Sequence, residues 1–417
     1  MQGERKTKTC IALFDKKYYI RSIFTIKNEI TMRRKVLYPL IALFMASTQL
    51  NAENWMGRLP DSTYVAVLSI PGAHDAATGS GWASGSEWMG ESFAQTQDLS
   101  LSEQWSVGVR AFDLRPCVKD DYLNINHGIV ATSVRFEDAL ALIRDSIVAN
   151  PSEFAIIHLQ HETDGDNNNS SYNKMLLEIL KRDDMKEYFM DFKSDLMVSD
   201  MRGKILILSR NEYATTPIGG FFRDWSFGTE WKTSKKIAGP KSKTGAYFQQ
   251  DFYNTVDAIE TKVRVFSELL DYGMTRKTTS KAQIRWIFNF ASGYSKTAFG
   301  YPSSDGYRDN ATHTHAALLE YLANSPGGPT GAVMMDYVGV DKSGSYDVRG
   351  LEAVQAIIDN NFKYLIKDTT AIVPIEATLK GEPCIYSLTG TPLAQPQEGI
   401  NIVREADGSI RKVLYKE

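Results

Sequence analysis

Eight short apolar runs, most of them separated by stretches of helical period, limit what this chain can fold into more than any other feature. They are Val65 to Ile70, Val109 to Leu114, Tyr122 to Asn126, Phe154 to Leu159, Lys204 to Leu208, Ala246 to Gln250, Ile284 to Phe290 and Ala332 to Met335. Runs this short and this continuous suit strands buried on both faces. Helical periodicity is clearest over Ser133 to Ala149, Tyr172 to Leu180, Val256 to Leu270, Thr314 to Ala323 and Val348 to Ile366. Buried strands joined by helices point to an α/β chain whose strands close into a parallel barrel. The link from Leu114 to Tyr122 is too short for a helix, so the barrel is expected to be imperfect there.

Nearly every run ends on a side chain able to do chemistry. His74 follows the first, Asp113 and Arg115 close the second, His127 follows the third, and Gln160, His161 and Glu162 follow the fourth. Arg210 follows the fifth, Asp251 and Tyr253 the sixth, Ser292 and Tyr294 the seventh, and Asp336 ends the eighth. Barrel enzymes assemble their sites at that end of the strands. The dipeptide Pro71-Gly72 is expected to stop the first strand and leave His74 on the loop beyond it. An imidazole, with a free pKa of about 6.5, can take or give a proton near neutral pH, and Asp75 beside it can orient or tune a ring. In Asp113-Leu114-Arg115 the spacing of two puts carboxylate and guanidinium on one face of a strand, so the acid can fix the arginine. His158 falls inside its strand and is expected in the barrel interior, and His313 and His315 are expected on the surface at the start of a helix.

Two histidines, acids and an arginine between them are the parts needed to cleave a phosphodiester with neither metal nor protein nucleophile. A base takes a proton from a hydroxyl, an acid protonates the leaving oxygen, and a guanidinium fork holds the charge on phosphorus. With no protein nucleophile in view, the attacking hydroxyl belongs to the substrate and a cyclic phosphate should form.

Several stretches carry a family likeness. Ser69-Ile70-Pro71-Gly72-Ala73-His74-Asp75, Gly108-Val109-Arg110-Ala111-Phe112-Asp113-Leu114-Arg115, Asn126-His127-Gly128, Gly203 to Arg210 and Met335-Asp336-Tyr337 resemble the successive motifs of bacterial phosphatidylinositol-specific phospholipase C, from about Tyr64 to Lys367. The resemblance implies a distorted (β/α)8 barrel of the TIM type that converts phosphatidylinositol into diacylglycerol and inositol 1,2-cyclic phosphate. It implies His74 as the base that deprotonates the inositol 2-hydroxyl, paired with Asp336, and His127 as the acid for the diacylglycerol oxygen, paired with Asp75. Arg115, held by Asp113, stands where the family keeps its phosphate-binding arginine, the place calcium fills in eukaryotic relatives, so no metal or other cofactor is implied. Arg210 and Asp251 match ligands of the inositol hydroxyls, and Tyr253 the tyrosine packed on the ring. Gln160 departs from the pattern, because it aligns with a lysine that contacts inositol; it offers an amide but no charge. That departure keeps two alternatives open: a glycosylated inositol lipid or anchor as substrate, and a barrel that binds head groups without cleaving them.

Charge and the two ends bound the setting. Up to Ala52 there are ten Lys and Arg against three Asp and Glu, and the remainder holds 37 basic and 47 acidic residues, a formal net charge of −10. A body this acidic argues against nucleic acid and against adsorption to anionic lipid by charge alone. Residues 1–52 read as a leader: Met32-Arg33-Arg34-Lys35 is the basic region of a secretion signal with Met32 as the true start, Val36 to Met45 its apolar core, and Ser47 to Ala52 its polar end. That implies export to the surface, periplasm or surroundings of a Gram-negative bacterium, with no membrane span, and the enzyme is expected to act as a monomer. Only Cys117 and Cys384 lie beyond the leader, so no disulfide framework is expected. Residues 53–368 are expected to form the catalytic barrel and 369–417 a small β module with strands at Cys384 to Leu388, Gly399 to Arg404 and Ile410 to Tyr415 and a turn at Asp407-Gly408. Ile385 through Val413 resembles the C-terminal sorting tails of type IX secretion cargo. Trp82, Trp88 and Phe93, and Phe221, Phe222, Trp225, Phe227 and Trp231, follow strands at the site end, where rings suit a lipid interface or local packing equally.

Overall fold

The computed structural model describes residues 52–365 apart from 168, 277–280 and 282–283, and in the C-terminal segment residues 384–386, 392–393, 395–404 and 410–415. In chain order the strands are β1 (Ser69–Ala73), β2 (Ala111–Leu114), β3 (Pro116–Lys119), β4 (Tyr122–His127), β5 (Val130–Arg135), β6 (Ala155–Leu159), β7 (Ile205–Ser209), β8 (Gly220–Phe222) and β9 (Lys235–Ala238). They continue with β10 (Thr244–Gln250), β11 (Trp286–Phe290), β12 (Thr297–Ala298), β13 (Tyr301–Pro302) and β14 (Gly331–Met335). Among the described residues the barrel closes in the order β1, β14, β11, β10, β9, β8, β7, β6, β2. Every neighbouring pair is parallel except those made by β9, which runs antiparallel to both β8 and β10.

Three expectations are corrected here. The run Tyr122 to Asn126 is not a barrel strand: with β3 and β5 it makes a separate antiparallel sheet, as the short link from Leu114 requires. β2 pairs directly with β6 across the place it was expected to fill, and the barrel is completed by β8, a three-residue strand beside β7, and by β9; both were too short to read as buried runs. The first strand is shifted, since Val65–Val67 is a 3-10 turn and Pro71-Gly72 lie inside β1 rather than ending it. Pro71 is tolerated because its carbonyl already accepts Arg110 N–H on the β2 side, so the N–H it lacks falls on the edge where β2 pairing has not yet begun. Gly72 is required for space: a Cβ there would lie 2.5 Å from Met334 Sδ and 3.1 Å from Val333 O.

The helices pack outside the barrel much where the period placed them, over Phe136–Ala149, Tyr172–Leu180, Ile259–Met274, Ser304–Asn324 and Gly350–Tyr364. In Phe136–Ala149 the buried positions Phe136, Leu140, Ile143 and Ile147 recur at helical spacing, with Glu137 and Asp138 favouring the N-terminal end of the dipole. The last helix clamps the start of β1: Asn361 accepts Ser69 N–H at 2.8 Å and donates to Ser69 O at 2.7 Å, which fixes the strand whose far end delivers His74. His315 corrects the reading of a surface residue. It sits mid-helix and fully buried, bonded through Nδ1 to Val348 O at 2.6 Å, whereas His313 is exposed.

The chain divides into two compact units, Met1–Leu365 and Ile366–Glu417. In the second, β15 (Cys384–Tyr386), β16 (Pro392–Leu393), β17 (Gly399–Arg404) and β18 (Ile410–Tyr415) form an antiparallel sheet in the order β16, β15, β17, β18. The leader up to residue 51, the segment from Thr369 to residue 383 and the Asp407-Gly408 turn lie outside the described residues.

At the bottom of the barrel Arg110 is wholly buried, stacked 3.8 Å over the Trp105 ring, with Nε 3.0 Å from Glu153 Oε2 and Nη1 donating to Trp105 O and Val109 O at 2.8 Å. Removing one partner of a buried ion pair leaves the other charge uncompensated. Glu153→Ala should therefore cost about 3–5 kcal/mol, read as a lowered midpoint in urea denaturation; a cost under about 1 kcal/mol would show that the pair contributes no more than a surface one.

Candidate active site

His74 leaves the end of β1 with its backbone N–H on Met335 O at 2.9 Å, and the Gln97 amide holds both His74 O and Met335 O, at 2.9 and 2.8 Å. Asp75 then adopts a left-handed backbone, φ +42°, which short polar residues tolerate, and this turns its carboxylate back over the barrel mouth. His127 arrives by another route: it ends β4, outside the barrel, and the Gly128-Ile129 turn carries the chain away into β5.

Arg115 sits at the centre. Its Nη2 donates to Asp113 Oδ2 at 2.8 Å and to His74 Nε2 at 2.7 Å, its Nε lies 2.9 Å from Asp75 Oδ1, and its Nη1 lies 3.8 Å from Glu162 Oε2. Because a guanidinium only donates, His74 Nε2 must accept, which places the ring hydrogen on Nδ1, 2.7 Å from Asp336 Oδ1. Asp336 Oδ2 accepts Gly293 N–H at 3.0 Å, so both oxygens of that carboxylate are acceptors. His127 donates through Nδ1 to Ala94 O at 2.7 Å and turns Nε2 toward Asp75 Oδ2 at 3.6 Å and the Tyr307 hydroxyl at 3.5 Å. The two imidazole centroids are 6.5 Å apart. Asp75 thus serves both rings, lying nearer to His74 Nε2, at 3.2 Å, than to His127.

On the other side of the mouth, Arg210 lies 4.6 Å over the Trp225 ring with Nη2 3.6 Å from Asp251 Oδ2, and Trp225 Nε1 donates to the same oxygen at 3.2 Å. Arg210 Nη2 is buried and without a hydrogen-bond partner. Tyr253 is half exposed, edge-on to Phe227. Gln160 donates to Glu162 at 3.4 Å, and its Oε1 is buried without a partner. His161 turns away to Asp166, 2.6 Å from Nε2, and stacks on Tyr172, so it takes no part in the cluster.

Burial and the central cation set the charges. Burial works to raise the Asp113 carboxyl, but Arg115 and the hydrogen bond from His158 outweigh it and hold it well below the carboxylate range. Burial pushes Asp75 up to about 7 against the pull of Arg115, with Asp113 adding to the rise. Burial likewise raises Asp336. Burial and the facing Arg115 hold His74 well below its usual value and His127 down at about 4. The atoms of His74, Asp75 and Asp113 stand close enough to share a metal ion, yet Arg115 already bonds or pairs with each of the three.

Three contributors were missed in the sequence. Lys262, wholly buried, donates to Phe252 O at 2.7 Å and Phe290 O at 2.5 Å, tying the exits of β10 and β11 together; a lysine on the face of a helix that also presents Phe266, Leu269 and Gly273 was the available signal. Tyr307 and the Gly293 amide come from segments whose contact with the site depends on tertiary packing alone. Of the aromatic groups, Phe221 and Phe222 are buried, so only part of the expected rim is exposed: Trp88 and Phe227, joined by Ile129 and by Phe299 at the tip of the β12–β13 ribbon.

The sequence profile described as "Phosphatidylinositol-specific phospholipase C, X domain" matches residues 83–211. A "1-phosphatidylinositol phosphodiesterase" of Listeria monocytogenes is 30% identical over 254 residues, covering 59% of this chain and 69% of that protein. The chain belongs to the phosphatidylinositol-specific phospholipase C family. A protein of the same name from Staphylococcus aureus is 24% identical over 314 residues, covering 74% of this chain and 94% of its own length. A solved phosphatidylinositol-specific phospholipase C from Staphylococcus aureus superposes with a TM-score of 0.60 at 22% identity, covering 75% of this chain and 98% of that one. The Listeria monocytogenes phospholipase C structure superposes with a TM-score of 0.55 at 24% identity, covering 74% and 98%. The barrel of this phospholipase C family is therefore the fold of this chain. The X-domain match takes in Asp113, Arg115, His127, Gln160 and Arg210, and the closure of the barrel brings His74, Asp75, Asp251 and Asp336 to them.

Asp75 yields a stability prediction. Its carboxyl, ordinarily near 3.8, titrates at about 7 in the folded protein, so between those values folding takes up a proton and stability falls as pH rises. Asp75→Asn removes that loss, and its Tm relative to the unsubstituted protein should climb from about pH 5 to about pH 8 in calorimetry. An offset that does not change with pH would show the carboxyl ionised throughout.

Proposed function

We propose that the chain is a phosphatidylinositol phospholipase C that cleaves its lipid by attack of the inositol 2-hydroxyl on phosphorus, giving diacylglycerol and inositol 1,2-cyclic phosphate. The observation that carries the reading is Arg115 hydrogen-bonded at once to His74 and Asp113 and ion-paired with Asp75. A phosphodiester anion draws the guanidinium fork toward its oxygens. That shift uncovers His74 Nε2 and removes the cation that depresses its basicity, so binding the phosphate arms the base. Asp336, whose two oxygens accept from His74 and Gly293, stabilises the imidazolium that forms.

The leaving oxygen needs a proton on the opposite side. His127 faces it through Nε2, and Asp75, titrating at about 7, holds a proton near neutral pH that His127 alone, at about 4, does not. The Asp75–His127 pair is the general acid in this reading. Arg210, Asp251 and Gln160 take the ring hydroxyls, Tyr253 and Phe227 a ring face, and Arg115 supplies the charge a metal would bring. The exposed Trp88, Ile129, Phe227 and Phe299 would rest at the lipid interface. Secretion rests on the basic and apolar leader sequence, and the C-terminal sheet is read as a separate module, with the type IX sorting role implied by its likeness. No helix among the described residues is long and apolar enough to cross a membrane.

His74→Ala and His127→Ala should each lower kcat on phosphatidylinositol by about 10²-fold or more, the scale of a positioned acid or base, with little change in Tm. A folded variant that keeps more than about a tenth of the turnover removes that histidine from the chemistry.

A further inference from the structure

We propose that His158 is a positioning residue: one neutral imidazole, buried beneath the site, sets the distance between the phosphate-binding Arg115 and the inositol-binding Arg210. The proposal rests on the assignment of those two subsites above. His158 is the fourth residue of β6 and lies wholly inside the barrel. Its Nδ1 is 3.0 Å from Asp113 Oδ1, and its Nε2 accepts Arg210 Nε at 3.4 Å. The neighbours fix the tautomer, because the carboxylate accepts and the guanidinium donates. Nδ1 therefore carries the hydrogen and Nε2 the lone pair.

Asp113 divides its two oxygens, Oδ2 to Arg115 and Oδ1 to His158, so an unbroken path of bonds runs Arg115, Asp113, His158, Arg210. The ring is held in place by Phe222, Trp225 and Phe290, with centroids at 5.4, 4.8 and 5.5 Å. An apolar side chain would fill that cage as well as histidine does. What the imidazole adds is a donor at one end and an acceptor at the other, at a fixed separation. That rigidity matters for this reaction: the phosphate on Arg115 and the ring hydroxyls on Arg210 belong to one small molecule, and the 2-hydroxyl reaches His74 only when both subsites are in register. Arg210 Nη2, buried, 3.6 Å from Asp251 Oδ2 and without a hydrogen-bond partner, is the atom the path leaves with a hydrogen bond to give.

Three substitutions separate the two ends of the path. His158→Asn keeps a donor at the Nδ1 position for Asp113 and offers Arg210 nothing; His158→Gln reaches the Nε2 position and keeps the acceptor for Arg210; His158→Phe fills the cage and offers neither. The readouts are steady-state kinetics on phosphatidylinositol in detergent micelles, competitive inhibition by free myo-inositol, and thermal melting. His158→Asn should raise KM by about tenfold and weaken inhibition by myo-inositol while kcat falls less than about threefold. His158→Gln should lower kcat by about tenfold or more with KM and inhibition within about threefold, and His158→Phe should do both. Each variant that melts cooperatively decides its own end of the path, and the Phe variant, which keeps a ring and offers neither bond, decides the whole. Values within about twofold of wild type in His158→Phe, or kcat and KM moving in equal proportion in the Asn and Gln variants, would overturn the positioning role. Absence of turnover by the unsubstituted protein is a different outcome, which would strike the functional reading itself.

Discussion

A single guanidinium faces three of the buried carboxylates in this barrel mouth. Asp75 after β1, Asp113 on β2 and Glu162 after β6 all lie within ion-pair distance of Arg115, and His74 gives it a lone pair. Carboxylates so far from water are costly unless paired, and one planar cation faces all three, with Arg210 behind it adding to the pull on Asp75 and Asp113. The dependence runs both ways: the acids fix the arginine in one orientation, and the arginine sets which of them keep a proton. Asp113, hydrogen-bonded by Arg115 and His158, stays ionised, while Asp75, whose oxygens accept no hydrogen bond, is pushed by burial up to about 7. A site poised to release one proton and accept another follows from that inequality.

The irregularities of the barrel serve the same end. In a regular (β/α)8 unit a helix would follow β2, and nothing would lie above Arg115. Here the chain turns straight back as β3, β4 and β5, and the tip of that small sheet presents His127 to Asp75 from outside the barrel. The β8–β9 insertion has a comparable result on the far side, where the loop after β8 supplies Trp225, the platform beneath Arg210 and a donor to Asp251. Regular parallel pairing positions His74, Asp113 and Asp336, and the departures from it deliver the groups opposite.

Much of this was legible in the sequence, and the reasons differ by residue. Seven of the eight apolar runs became barrel strands because continuous apolar character is what burial on both faces demands, and the polar residue at the end of each fell at the mouth. Asp113 and Arg115 were readable as a pair because strand period fixes their common face. The run from Tyr122 to Asn126 misled although Leu123 and Ile125 alternate with Asn124 and Asn126, the period-2 pattern of an antiparallel strand rather than the continuous apolar run of a barrel strand. β8 and β9 were unreadable because three or four residues set no period. His315 was misplaced since a histidine held by one backbone carbonyl looks, in sequence, like one facing water. Lys262, Tyr307 and the Gly293 amide reach the site by packing of elements far apart in the chain, which no local pattern encodes.

The central claim is that Arg115 does the work of a metal while the substrate's own hydroxyl is the nucleophile. Phosphorus NMR of phosphatidylinositol in detergent micelles, followed over time with EDTA present, tests both parts at once. The account predicts undiminished turnover with inositol 1,2-cyclic phosphate as the first phosphorus-containing product, released together with diacylglycerol. Turnover that stops in EDTA and returns with calcium, or an inositol monophosphate that appears without a preceding cyclic species, would contradict it.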